Sequence, residues 1–323
     1  MSARSGELTI LVLAPADDTS LRRLDALPPG VRTVIGRQPE DFGDALGVAE
    51  VIFHCSGGRK RLEPLLAKAP RVRWVHSRSA GVENILFPAL VEGAVVVTNA
   101  RGAYSRSLAE WAMAGVLFFA KDLRRLLRSQ AEGRWDVFEP EEIAGRTLGI
   151  VGYGDIGRAV ARYARALGMR VLALRRRPEP DEVAHEVLGP DGLNELMRRS
   201  DYVILAAPLT PDTRGLVGRE AIAAMKPSGV LVNVGRGPVV DEAALVEALT
   251  ARRIRGAALD VYEQEPLPAG HPLYSLDNVL LSPHSADNVP GWRESAVDVF
   301  VEHVKLFRDG QPLRNVVDKA HGY

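Results

Sequence analysis

The chain has a single cysteine, Cys55, among its 323 residues. That excludes an intrachain disulfide framework and points to a reducing, cytoplasmic setting. Cys55 itself reads as a small apolar core residue rather than a nucleophile. Net charge is also lacking, because 41 basic side chains balance 41 acidic ones. Nothing in the bulk charge favours nucleic acid or an anionic membrane as a partner. Long apolar runs are missing. The longest, "LAEWAMAGVLFFA" at 108–120, is interrupted by Glu110 and is too short to cross a bilayer. The start, "MSARSGELTILVLAP", lacks the pattern of a secretory leader. Low-complexity tracts and short-period repeats are absent. Histidine and cysteine are not clustered at ligand spacing, so no metal is expected.

What is present is an alternation. Short apolar runs at 8–14, 51–56, 72–79 and 94–100 are separated by helix-compatible or turn-rich segments. This is the rhythm of a parallel sheet with crossover helices. A long core or interface helix is predicted from about Ser107 to Gln130, with Ser107 and Glu110 as a capping box at its start. Polar, irregular sequence follows at 132–145. A second series of strands begins at "TLGIVGYG" (147–154) and continues at 170–174, 201–208, 229–235, 256–262 and 278–284. Further helices are predicted at Asp155–Leu167, Asp241–Arg253 and about Gly291–Arg308. At roughly 100–200 residues per domain the length fits two domains. The expectation is an α/β chain of two Rossmann-like or flavodoxin-like domains with doubly wound parallel sheets. Its boundaries fall near residue 100 and residue 289.

"LGIVGYGDIGRAVARYARALG" carries Gly152, Gly154 and Gly157 in the spacing G-x-G-x-x-G, between a strand and a helix. The first glycine permits a tight turn, the second lets backbone approach a pyrophosphate, and the third lets helix and strand pack closely. The helix start then offers free N–H groups to an anion. An NAD site normally has an acid about 20 residues further on, bonding the adenosine ribose. Here that position is Arg175, followed by Arg176 and Arg177. A carboxylate would repel the 2′-phosphate of NADP, whereas a guanidinium binds it. NADP is therefore expected, with NAD as the weaker cofactor.

Three polar residues end apolar runs, where an α/β sheet places its ligand crevice. They are Arg236 in "VNVGRGPVVDE", Glu265 in "ALDVYEQEP" and His284 in "LLSPHSAD". With "SAGVENI" (79–85), "AEWAMA" (109–114), "LGIVGYGDIG" (148–157) and "PLTPDTRGLVG" (208–218), these segments occur in the order of a known family. The chain resembles the D-isomer-specific 2-hydroxyacid dehydrogenases over nearly its whole length.

The resemblance implies a discontinuous substrate domain, 1–100 and 289–323, and a dinucleotide-binding domain, 101–288. It implies that Arg236 grips the substrate carboxylate and carbonyl, that His284 is the acid or base, and that Glu265 is its partner. Glu265 is chosen over Glu263 because the family's acid immediately precedes the proline, here Pro266. Backbone N–H groups near Ser79, Ala80 and Gly81 would also hold the carboxylate. The cofactor would lie against Gly152, Tyr153, Gly154, Asp155, Ile156 and Gly157, against Arg175 and Arg176, and against Ala207, Pro208, Val234 and Gly235. Asp260 would bind the nicotinamide carboxamide. A homodimer joined through the cofactor domains is implied, with the helix containing Trp111 in the contact. His54, His76, His185, His271, His303 and His321 lack comparable context and read as structural or surface residues.

The chemistry suits these residue types. A 2-keto acid places a carboxylate beside a ketone, and a planar arginine fork can touch both. Hydride addition puts negative charge on the ketone oxygen, where a histidine can deliver a proton near neutral pH. A neighbouring carboxylate favours the imidazolium. The chain departs from the family at Glu83, where Asp is common, and after Ala286, and both departures bear on substrate choice. The expected activity is NADPH-linked reduction of a small 2-keto acid, glyoxylate or hydroxypyruvate, with no nucleic-acid or membrane partner. One alternative is an NAD-linked dehydrogenase acting oxidatively, for instance on phosphoglycerate; an end at Tyr323 leaves no room for the separate regulatory domain of some such relatives. Another is a dinucleotide-sensing protein like the superfamily's transcriptional co-repressors. The complete catalytic trio favours an enzyme.

Overall fold

The computed structural model describes residues 7–323. The leader reading falls in part on residues 1–6, which lie outside the described residues. Among the described residues no helix is long and apolar enough to cross a membrane. The chain forms two compact units, one of the described residues up to Tyr104 with Val289–Tyr323, the other Ser105–Asn288.

The first unit holds five strands: β1 (Leu8–Leu13), β2 (Val31–Gly36), β3 (Val51–His54), β4 (Trp74–Ser77) and β5 (Val96–Asn99). All pair in parallel, in the order β2-β1-β3-β4-β5, the flavodoxin-like winding. Parallel sheets are covered on both faces, which is why β1, β3 and β4 are buried at every position. Side chains alternate between two apolar layers. Leu11, Leu13, Ile52, Val75 and Val97 enter one, and Ile10, Val12, Val51, Phe53 and Trp74 the other. Helix Trp292–Arg308 closes the second layer with Val297, Phe300, Val301 and Val304. The Phe300 ring stacks on Phe53 with centroids 4.0 Å apart. His76 and His303 lie buried in this aromatic layer.

The second unit holds β6 (Thr147–Val151), β7 (Arg170–Leu174), β8 (Glu186–Leu188), β9 (Tyr202–Leu205), β10 (Val230–Asn233), β11 (Gly256–Leu259) and β12 (Val279–Leu281). They form one seven-stranded sheet, ordered β12-β11-β10-β9-β6-β7-β8, and every pair is parallel. Strand order reverses beside β6, between β7 and β9. That is the switch point where a doubly wound sheet opens its crevice.

Two sequence expectations are corrected here. The helix predicted from Ser107 to Gln130 is two helices, Ser105–Ala120 and Leu123–Ala131. Asp122 breaks them apart. It adopts a left-handed conformation with φ 45°, and its side chain accepts from the Arg125 amide at 3.4 Å to cap the second helix. An aspartate tolerates that conformation by bonding locally. The capping box is also absent. The helix starts at Ser105, so Ser107 is buried in the first turn, and Glu110 pairs with Arg106 at 2.9 Å instead.

Candidate active site

The carboxyl ends of β6 to β12 present the residues singled out in the second unit. Gly152 follows β6 with φ +91°, and a Cβ there would lie 2.4 Å from the Ala207 nitrogen. Gly157 has no room either, since its Cβ would stand 2.7 Å from the Gly152 carbonyl oxygen. Gly154 differs, with nothing within 4 Å of a built Cβ. Helix Asp155–Ala166 starts at Gly154 without a side-chain cap. Two glycines are thus demanded by packing, while the middle one borders open space at an uncapped helix start. This cradle fits an extended pyrophosphate. Tyr153 is buried, and Ile156 and the exposed Asp155 open the helix.

Arg175 directly follows β7. Its guanidinium stands 4.0 Å from Glu179, itself largely exposed, and Arg176 and Arg177 are exposed beside it. Ala207 and Pro208 follow β9 closely, and a Cβ on Gly235 would lie 2.7 Å from the Ala207 oxygen. Val234 and Gly235 are buried after β10.

Arg236 is set by its neighbours. Buried Asn233, the last residue of β10, accepts from the Gly235 amide at 3.0 Å and donates to the Arg236 carbonyl at 3.1 Å. The Arg236 guanidinium donates to the Gly235 carbonyl at 2.8 Å. Behind it, a Cβ on Gly237 would fall 1.9 Å from the Tyr262 carbonyl group. Gly237→Ala is therefore expected to lower stability by at least about 1–3 kcal/mol through overpacking. Urea unfolding measures this; unchanged stability would mean that the Tyr262 backbone yields.

His284 and Glu265 meet directly, with Nδ1 2.7 Å from Oε2. The other carboxylate oxygen of Glu265 accepts from the Tyr262 amide at 3.0 Å. With Nδ1 turned to the carboxylate, Nε2 is left as the atom that can exchange a proton elsewhere. The side chains are 42% and 34% exposed, so solvent still reaches the pair. The Glu265–Pro266 peptide is cis. Glu263 takes no part; its amide donates to Glu242.

His284 has φ 49°, an uncommon conformation for a residue with a side chain. Asp260 holds it there. The Asp260 carbonyl accepts from the His284 amide at 2.9 Å. Its buried carboxylate accepts from the Ser282 hydroxyl at 2.6 Å and from the Ser285 and Ala286 amides at 2.9 and 3.2 Å. Asp260 is thus first a lock on the histidine loop. Among the described residues its second oxygen has only a 3.4 Å contact, from the same Ala286 amide. Burial pushes the carboxyl of Asp287 above the usual range; Asp260 adds to this, and the charges of His284 and Arg236 oppose it.

Ser79, Ala80 and Gly81 belong to the first unit, after β4. Asn99, ending β5, donates to the Ala80 carbonyl at 2.6 Å, and the Ser77 hydroxyl accepts from the Ser79 amide at 3.2 Å. Among the described residues the Ala80 and Gly81 amides find no acceptor. Sequence reading missed Asn99 and Asn233. The signal was there: each is a polar residue ending an apolar strand. Elsewhere, burial raises the Cys55 thiol to about 12; the residue is half-buried at the edge of the first unit's second apolar layer. A cavity of about 450 Å³ lined by Arg125, Glu141, Arg146 and Arg255 lies at the amino ends of the strands, apart from this chemistry.

Residues 113–286 match the family "D-isomer specific 2-hydroxyacid dehydrogenase, NAD binding domain". The chain is 36% identical over 314 residues to a D-3-phosphoglycerate dehydrogenase of Methanocaldococcus jannaschii, covering 96% of this chain but 59% of that protein. It is 37% identical over 260 residues to a glyoxylate reductase of Korarchaeum cryptofilum, covering 78% of this chain and 77% of that one. A D-isomer specific 2-hydroxyacid dehydrogenase from Xanthobacter autotrophicus, solved with NADPH and MES, superposes with a TM-score of 0.84. That match is 32% identical and covers 99% of this chain and 100% of the other. The chain belongs to the D-isomer specific 2-hydroxyacid dehydrogenase family.

Proposed function

We propose that the protein reduces a small 2-keto acid to the D-2-hydroxy acid with NADPH, and that glyoxylate or hydroxypyruvate is the substrate. The Glu265–His284 pair carries this reading: a histidine held by a carboxylate at the carboxyl edge of a sheet that also bears an uncapped glycine loop. A bound reduced nicotinamide supplies the hydride. The chain's own residues do the rest. Arg236 orients the substrate through its carboxylate and ketone. His284 gives the proton on Nε2 to the ketone oxygen as negative charge develops there. Glu265 fixes the ring through Nδ1. In the first unit, the Ala80 and Gly81 amides suit a carboxylate. Asp260 keeps one oxygen with spare capacity, suited to an amide donor.

Arg175 supports NADPH over NADH, since a guanidinium stands at the end of β7 where an NAD site carries an acid. The NADPH in the Xanthobacter relative agrees. A charge-assisted hydrogen bond contributes about 1.5–3 kcal/mol, so kcat/KM is expected to favour NADPH by at least about tenfold. Steady-state kinetics with both cofactors test this. Equal values would remove the preference, and Arg175→Asp should penalise NADPH more than NADH.

An NAD-linked phosphoglycerate dehydrogenase is the second reading, favoured by the 36% identity across 96% of the chain. A homodimer joined through the second unit is supported by the large apolar side chains left exposed on helix Leu123–Ala131 and just after it, at Leu123, Leu126, Leu127, Trp135 and Val137.

A further inference from the structure

We propose that Asp181 is a positioning residue: it clamps the arginine segment to the glycine loop and thereby sets the preference for a 2′-phosphorylated adenosine. The inference rests on the NADP reading above and adds a residue and a means to it.

The segment "RRRPEPD", 175–181, is exposed from Arg176 to Pro180. Exposed backbone with few apolar contacts opens readily. Yet phosphate recognition by a guanidinium is directional, and its arginine must be held in place. Both ends of this segment are fixed to the same object. At the start, the Leu174 carbonyl accepts from the Gly152 and Tyr153 amides at 3.1 and 3.2 Å. At the end stands Asp181, whose side chain is only 4% exposed. Its Oδ1 accepts from the Tyr153 hydroxyl at 2.8 Å and from the Val183 and Ala184 amides at 2.8 and 3.2 Å. Its Oδ2 pairs with Arg158 at 2.8 Å. Tyr153 lies inside the glycine loop, and Arg158 lies in the helix that the loop opens.

Between these anchors, Pro178 and Pro180 fix their own φ and keep Arg177 and Glu179 extended. Burial alone would raise the Asp181 carboxyl, but the Val183 amide, the Tyr153 hydroxyl, the Ala184 amide and Arg158 outweigh it and hold it below the usual range. Asp181 is thus a standing anion whose two oxygens are both engaged. It is not the missing ribose acid.

The test uses fragments that separate the 2′-phosphate from the rest. Adenosine 2′,5′-bisphosphate and 5′-AMP are titrated calorimetrically into the unliganded protein, as wild type, Asp181→Ala, Asp181→Asn, Tyr153→Phe and Arg175→Ala. Wild type is expected to favour the bisphosphate by at least about tenfold. Asp181→Ala should lose most of that preference while 5′-AMP binding changes by less than about twofold. Asp181→Asn keeps an acceptor for Tyr153 and the two amides, so it should retain more preference than the alanine variant. Hydrogen exchange of amides in 175–184 should quicken in Asp181→Ala and Tyr153→Phe. An intact preference in Asp181→Ala, or an equal loss of both ligands, overturns the positioning role. Should Asp181→Ala not fold, an unchanged preference and exchange rate in Tyr153→Phe overturns it. A wild type without preference, or a preference that survives in Arg175→Ala, instead overturns the NADP reading and the proposal with it. A preference lost in Arg175→Ala but kept in the Asp181 variants overturns the proposal alone.

Discussion

His284→Ala is expected to lower kcat for keto-acid reduction by about 10²–10⁴-fold, the usual worth of a positioned acid or base. NADPH affinity should stay within about twofold of wild type, because the residues that would hold the adenosine end are distant from this edge. In the sheet order, β12 is four strand spacings from β6 and five from β7. At about 4.8 Å per spacing, His284 stands on the order of 20 Å from the glycine loop and further from Arg175. Glu265 should reveal itself in kcat. Its carboxylate stands 2.7 Å from Nδ1 and so fixes the ring. Glu265→Ala removes that partner, and the misplaced ring should lower kcat by about a hundredfold. An unchanged kcat would remove Glu265 from its role. Full turnover in His284→Ala would remove His284 as the proton donor.

Arg236→Lys is expected to reduce kcat/KM about a hundredfold although the charge is kept. Lysine offers a point charge and cannot bond carboxylate and ketone as one planar fork. The surroundings cannot compensate. Asn233 fixes the turn from both sides, and Gly237 sits against the Tyr262 backbone with no space to shift. Steady-state kinetics on the folded variant decide the point. Near wild-type kcat/KM would mean that Arg236 does not orient the substrate.

The interior strands were legible because burial on both faces leaves continuous apolar runs, as in β1 and β10. Two of the four edge strands, β2 and β8, were not, although β5 and β12 were. β2 is half-buried with exposed Arg32 and Ile35, and β8 is three residues long, so neither writes such a run. Periodicity also passed over the break at Asp122, since one left-handed residue leaves the apolar spacing on either side intact. In the candidate site, Arg236 and His284 were singled out because a polar residue just after an apolar run stands out, whereas Glu265 was chosen through the resemblance, which puts the acid before a proline. The supporting contacts could not. Asp181 reaches Tyr153, 28 residues away, and Asp260 reaches Ala286, 26 residues away. Such pairings are made by the fold and leave no local pattern.

The central claim is that NADPH gives hydride to the carbonyl carbon of a 2-keto acid while His284 gives the proton to its oxygen. Its most direct test is consumption of reduced cofactor with glyoxylate, hydroxypyruvate and larger 2-keto acids, in wild type and His284→Ala. The account predicts turnover with NADPH and a small 2-keto acid, and loss of nearly all of it in His284→Ala. A wild-type protein that binds NADPH but turns over none of these acids would contradict it and leave a dinucleotide-binding protein in its place.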